Sequence, residues 1–214
     1  MSFDIVCFDC DSTLTKIEGI DELAIYYELD DGQVTRLTKA AMEGEVALES
    51  IYERRLAMIN PDRASINWLA KRYLEEMVDG AQEVCQHLLA AGKDVHIVSS
   101  GLRQAILPLA EALGVAELHV HAVDIYFRDD GSYITYDRRS RLTRSLGKAE
   151  ICRRLFKPPK TLVMVGDSHT DVEAKQPGVS VLGFGGVVAR DLVREQADFF
   201  CETASLLPIL THIL

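Results

Sequence analysis

The sequence predicts an α/β fold: a mostly parallel sheet covered by helices on both faces, with a long helical insertion after the first strand. Three observations carry the prediction. Apolar runs of strand length recur, each bounded by turn residues. Amphipathic helical segments separate them, which is the alternation that builds parallel sheets. Finally, roughly sixty residues after the first run show helical spacing and no convincing strand.

In chain order, the first strand is Ile5 to Phe8. Between Thr15 and about Met77, Leu37, Ala40 and Ala41, then Leu48, Ile51, Leu56 and Ile59, favour helices, and Pro61 restarts the chain. A connection of that length is functional or a domain of its own. Ala81, Val84, Cys85, Leu88 and Leu89 keep i, i+3, i+4, i+7, i+8 spacing, and Gly92 stops that helix. A second strand covers Val95 to Val98, and Leu102, Ile106, Leu109 and Leu113 mark another helix before Gly114. The stretch Ile125 to Ile134 reads as a hairpin turning at Asp130-Gly131. Lys148 opens a helix after Gly147, and strands follow at Leu162 to Val165 and Val179 to Leu182. There is no internal repeat and no low-complexity tract.

Composition narrows the function classes. The 214 residues fit one sizeable domain, or one domain carrying a smaller insertion, and a hydrophobic fraction of 48% is ample for a core without staples. A net charge of −10 argues against a nucleic-acid or anionic-membrane surface, though not against an anionic substrate in a local cleft. No charged-then-apolar leader and no apolar run of ~18 residues is present, so a cytoplasmic protein without a membrane partner is expected. The five cysteines are odd in number and scattered, poor material for a disulfide framework. Cys7-Phe8-Asp9-Cys10 has redox spacing, but Cys7 falls inside a strand rather than at a helix N-terminus. No second thiol or histidine pair follows at zinc spacing. Cys7 is expected to be a small buried hydrophobe.

Polar residues gather at the strand ends instead. Asp9 ends the first strand, Ser99 and Ser100 follow the second, and Asp167 lies just past the third. In a parallel sheet these C-terminal ends share one edge, where open α/β folds bind ligands, and Lys148 can reach it. The set suits phosphoryl transfer. A carboxylate such as Asp9 accepts a phosphoryl group as an acyl phosphate. Asp11 is placed to protonate the leaving oxygen and then activate water. Asp9 and Asp167 are hard oxygen ligands of the kind Mg²⁺ prefers, and Ser99 and Lys148 would neutralise phosphoryl charge.

Asp9-Cys10-Asp11-Ser12-Thr13, Ser99, Lys148 and Gly166-Asp167-Ser168-His169-Thr170-Asp171 resemble, in order, the four motifs of haloacid-dehalogenase-like phosphatases. The 18–24, 41–44 and 53–57 segments, and Gly183-Phe184-Gly185-Gly186, resemble the phosphoserine phosphatase branch, and the similarity runs over nearly the whole chain. The resemblance implies a Rossmann-like core of residues 1–14 and 78–214 and a helical cap of residues 15–77. It also implies Mg²⁺-dependent hydrolysis of phosphoserine by a monomer or homodimer. By position, Asp9 would be the nucleophile and Asp11 the acid/base. Metal would be held by Asp9, the Asp11 backbone carbonyl and Asp167. Ser99, Ser100, Lys148 and Thr170 would hold phosphate, with Asp171 in support. Glu18 and Arg55 would read the substrate's ammonium and carboxylate, a pairing that suits a zwitterion because a guanidinium fork matches a carboxylate. Arg54 is the alternative arginine. Ser100, Ser168-His169 and His121 depart from the branch's usual residues and touch the expected active edge, which bears on substrate identity. Other readings are a phosphatase or phosphotransferase for another small phosphomonoester, and a non-enzymatic phospho-receiver domain.

Overall fold

The computed structural model describes residues 2–29 and 32–214. Six strands form one sheet: β1 (Ile5–Phe8), β2 (Asp94–Leu102), β3 (Val120–Val123), β6 (Leu162–Gly166), β7 (Val179–Phe184) and β8 (Phe199–Cys201). Their spatial order is β3-β2-β1-β6-β7-β8, and every neighbouring pair is parallel. The order reverses between β1 and β6, both fully buried, so the ligand crevice is expected above their C-terminal ends. The antiparallel element is a separate hairpin, β4 (Ile125–Phe127) with β5 (Tyr133–Tyr136), turning through Asp130-Gly131 as the sequence predicts.

The inserted block is helical: α1 (Gly19–Tyr26), α2 (Gln33–Met42), α3 (Leu48–Ile59) and α4 (Arg63–Glu75). Asp62 caps α4 by accepting from the Ser65 amide at 2.7 Å, and Ile66, Leu69, Ala70 and Tyr73 bury one face at helical spacing. The chain leaves and re-enters the sheet domain side by side. Thr15 bridges Met77, Lys16 donates to the Glu76 carbonyl at 2.7 Å, and Val78 donates to that of Leu14 at 2.9 Å. Leu23, Leu56 and Leu69 of the insert join Phe8, Leu88 and Ile97 of the sheet domain in one continuous apolar cluster. The remaining helices are α5 (Ala81–Ala90), α6 (Arg103–Ala112), α7 (Gly147–Leu155), α8 (His169–Val172), α9 (Asp191–Gln196) and α10 (Leu210–Ile213). No helix among the described residues is long and apolar enough to cross a membrane.

Three expectations need correcting. Ser99 and Ser100 lie inside β2 rather than after it, because the strand continues past an irregularity between Val98 and Leu102. Leu102 accordingly ends that strand instead of opening α6. The third concerns β3 and β8, which the apolar pattern does not reveal. Both are short edge strands with incomplete burial: His121 interrupts the apolar residues of β3, and Phe199-Phe200-Cys201 of β8 is too short a run to mark a strand.

Candidate active site

Register brings the acids together. The Asp9 amide donates to the Val165 carbonyl at 2.8 Å, which extends the β1–β6 ladder and sets Asp9 beside the turn that carries Asp167. Asp9 is buried. Its Oδ1 accepts from the Cys10 amide at 2.7 Å, and its Oδ2 lies 2.7 Å from Lys148 Nζ. The same Nζ donates to Asp171 Oδ1 at 2.7 Å. Asp171 Oδ2 in turn accepts from the Ser168 amide at 3.0 Å and hydroxyl at 2.6 Å, a capping box that opens α8. Asp171 thus braces Lys148, and although it clusters with Asp9 and Asp167, it alone of the three does not line the cleft.

Asp11 faces the insert. Tyr73 donates to its Oδ1 at 2.6 Å and the Gly19 amide to its Oδ2 at 3.0 Å. A Cβ on Gly19 would come within 2.0 Å of the Tyr73 hydroxyl, so this approach of α1 to α4 requires glycine. Thr13 donates to Asp167 Oδ1 at 3.1 Å, and Ser12 donates to Glu18 Oε1 at 2.7 Å. Arg190 donates to the Asp167 carbonyl at 3.0 Å and pairs with its carboxylate, while its other terminal nitrogen lies 3.9 Å from Glu18. Ser99 is buried and accepts from the Gly101 amide at 3.0 Å, and the Ser100 carbonyl accepts from Tyr52 at 2.9 Å.

One cleft joins these groups. Asp9, Asp11, Ser99, Ser100, Lys148, Asp167, Thr170, Glu18 and Arg55 all line it, whereas Asp171 stands behind Lys148. The choice between arginines is resolved by exposure: Arg55 is 3% exposed and Arg54 points to solvent. Arg55 occupies a slot on the buried face of α3 between Tyr52 and Leu56. It donates to Thr38 at 2.9 Å, but its Nε is buried without a partner, and among the described residues no carboxylate lies within ion-pair distance. A buried guanidinium in that condition is costly unless something else pairs with it.

The charge balance of the cleft is acidic. Burial, then the like charges of Asp171 and Asp167, push the Asp9 carboxyl well above its usual range against the pull of Lys148. Burial raises Asp167 to about 6 despite Arg190, and raises Asp11 despite its two donors. Glu18 is raised by burial and by Asp11 and Asp167. Burial alone would lower Lys148, but Asp171 and Asp9 outweigh it and keep the amine charged. Five carboxylates therefore face Lys148, Arg55 and Arg190, all through hard oxygen atoms. A divalent oxygen-seeking cation fits that imbalance, and of the clustered acids Asp9 and Asp167, which line the cleft, are the ones that could hold it.

The cysteines stay outside the chemistry. All five are free and buried, and burial raises the Cys7 and Cys10 thiols away from the reactive thiolate. Of the departures, His121 is off the active edge, on β3, with Nε2 3.2 Å from His96 Nδ1. The His169 ring packs against Gly44 of the insert, within 2.9 Å of where a Cβ would stand. Sequence reasoning missed Arg190 and Tyr73, and it placed Ser12 and Thr13 in the first motif without giving them a role. Arg190 had one signal, its place in the loop after β7 at the same sheet edge.

A family model described as haloacid dehalogenase-like hydrolase matches residues 3–176. A phosphoserine phosphatase of Bos taurus is 34% identical over 201 residues, covering 93% of this chain and 89% of that protein. One of Drosophila melanogaster is 35% identical over 199 residues, covering 92% of this chain and 73% of that protein. A solved structure of a phospho-aspartyl intermediate analogue of phosphoserine phosphatase superposes with a TM-score of 0.81 at 25% identity, covering 100% of both chains.

Proposed function

The chain belongs to the haloacid dehalogenase-like hydrolases, in their phosphoserine phosphatase branch, and from that premise we propose that it is a Mg²⁺-dependent phosphomonoesterase hydrolysing L-phosphoserine to L-serine and phosphate. The observation that carries the substrate is Arg55, a buried guanidinium whose Nε has no partner and which has no carboxylate within ion-pair distance among the described residues, lining the same cleft as Glu18 above the Asp9 floor. A ligand with an ammonium and a carboxylate on one carbon and a phosphate beyond them matches those three positions.

In the proposed reaction, Glu18 takes the ammonium and Arg55 the carboxylate, which sets the phosphorus over Asp9. The Asp9 carboxylate attacks phosphorus, the bond to the seryl oxygen breaks, and Asp11 delivers its proton to that oxygen. Asp11, now a carboxylate, takes a proton from water as the water attacks the aspartyl phosphate, which restores Asp9 and releases phosphate. Lys148 and Ser99 hold the non-bridging oxygens, with Thr170 beside them and Asp171 fixing the lysine. Asp9, Asp167 and the Asp11 backbone carbonyl would hold Mg²⁺, which when bound offsets charge on the phosphoryl oxygens. Residues 15–77 serve as the cap that supplies Arg55 and Tyr73 to this floor.

The test is a comparison of purified protein with Mg²⁺ on L-phosphoserine and on phosphoethanolamine, which lacks the carboxylate. Leaving Arg55 buried and unpaired costs roughly 2–4 kcal/mol, so kcat/KM should favour L-phosphoserine by about 30- to 1,000-fold. Equal treatment of the two esters would remove phosphoserine as the substrate.

A further inference from the structure

Three helices of the insert each give one side chain to a single chain of contacts. Asp21 comes from the first turn of α1, Thr38 from α2 and Arg55 from α3. The Thr38 hydroxyl donates to Asp21 Oδ1 at 2.5 Å and accepts from Arg55 Nη1 at 2.9 Å. Thr38 and Arg55 are both buried, so the hydroxyl spends its proton on one neighbour and a lone pair on the other.

These contacts decide which part of the guanidinium stays available. Arg55 rests over the Tyr52 ring, 5.7 Å from its centroid, and Tyr52 is itself tied to the Ser100 carbonyl of β2 at 2.9 Å. Nη1 is the terminal nitrogen on the Cδ side, so a bond there leaves the opposite edge, Nε with Nη2. Among the described residues neither of those two atoms has a hydrogen-bond partner, and Nε is buried. Two nitrogens on one edge are what a carboxylate needs for paired, parallel hydrogen bonds.

Asp21 acts at one remove. Burial disfavours the Arg55 charge, and Asp21 is among the neighbours that offset it. Burial likewise raises Asp21, against the pull of Thr38 and then of Arg55. A direct Asp21–Arg55 pair would occupy the fork and compete with an incoming anion. With a hydroxyl between them, the acid supports the guanidinium and leaves its fork open.

We infer that Thr38, backed by Asp21, is the positioning residue for Arg55, holding Nη1 so that the Nε–Nη2 edge is left for a ligand carboxylate. The inference rests on Arg55 reading the carboxylate of the substrate, and adds what aims it.

The experiment measures kcat and KM separately on L-phosphoserine and on phosphoethanolamine at saturating Mg²⁺. The full chain is compared with Thr38→Val, Thr38→Ser and Asp21→Asn. Thr38→Val keeps the shape and removes both bonds, so KM for L-phosphoserine should rise by roughly tenfold or more while kcat changes much less. Phosphoethanolamine has no carboxylate to misplace and should lose much less, so the preference between the esters shrinks. Thr38→Ser restores the hydroxyl and should recover most of that preference. Asp21→Asn keeps an acceptor for the Thr38 proton but loses the charge, and should shrink the preference by a smaller factor. A threonine that only packs the insert would lower Tm and slow both esters alike. The inference is overturned if Thr38→Val keeps the parent's preference or loses both esters equally. Should Thr38→Val fail to fold, Asp21→Asn decides, and an unchanged preference there overturns it. A parent that treats the two esters alike removes the carboxylate reading of Arg55 and this inference with it. That result is distinct from a parental preference that survives in Thr38→Val, which sinks the inference alone.

Discussion

The floor and the roof of the cleft are built on opposite principles. On the floor, Asp9, Lys148 and Asp171 form a closed chain of contacts at 2.7 Å, with Asp171 locked further by Ser168. Nothing there needs a ligand to hold its geometry, though its excess of acids calls for a cation. On the roof, Arg55 has a single hydrogen bond among the described residues, to Thr38, and a buried Nε with none. On the proposed reading, the floor is preorganised for the reaction and indifferent to what carries the phosphate. A substrate carboxylate of the right reach, on the same reading, pairs with that guanidinium. Chemistry and selectivity are thus separable by mutation.

The largest expected effect breaks the floor alone. Asp9→Asn should lower Mg²⁺-dependent turnover of L-phosphoserine by at least ~10³-fold, because the amide cannot form the acyl phosphate. It should not lower Tm. Burial and neighbouring acids already disfavour the ionised Asp9, so a neutral isostere relieves repulsion. Turnover within tenfold of the parent, in protein checked for deamidation, would end the assignment.

The next effect separates roof from floor. Arg55→Ala should collapse the preference for L-phosphoserine over phosphoethanolamine by about 30-fold or more, while a small unspecific phosphate ester loses much less. Arg54→Ala, altering a side chain in solvent, should leave the preference within about twofold. If both substrates fall equally in Arg55→Ala, the residue supports the cap's packing and does not read the carboxylate.

The same division governs what could be read from the sequence. The floor was legible because β1 and β6 are buried on both faces, so each is a continuous apolar run and the first polar residue after it marks the sheet edge. Ser99 was legible as a site residue but not as part of a strand, since the irregularity in β2 carries it past the apolar run. Edge strand β3 is broken by His121, and β8 offers a run of only three apolar residues. On the roof, Arg55 sits at i+7 from Leu48 and i+4 from Ile51 on the buried face of α3, a periodicity that separates it from Arg54. Tyr73 defeats the same reasoning. Its ring continues the apolar stripe of α4 and reads as core, and only its hydroxyl reaches Asp11. Arg190 precedes a short helix in a loop, where no periodicity operates.

Tyr73 supplies the smallest and sharpest test, because it is the contact by which the roof adjusts the floor. Its hydroxyl and the Gly19 amide both donate to Asp11, favouring the ionised carboxylate against the burial that raises its pKa. Tyr73→Phe keeps the ring in the core and removes one donor, so Asp11 should hold its proton to higher pH. On the proposed reading Asp11 must be protonated to release the seryl oxygen, and ionisation of that acid sets the alkaline limb of kcat/KM. The limb should therefore move upward in Tyr73→Phe. At the same time kcat should fall by roughly tenfold, as Asp11 loses one of the two bonds that aim it and as its conjugate base must then act on water. A purely structural tyrosine would lower Tm or kcat and leave the limb where it was. A limb that moves downward would mean that the group titrating there is not Asp11, and the acid in the first step would have to be sought elsewhere in the cleft.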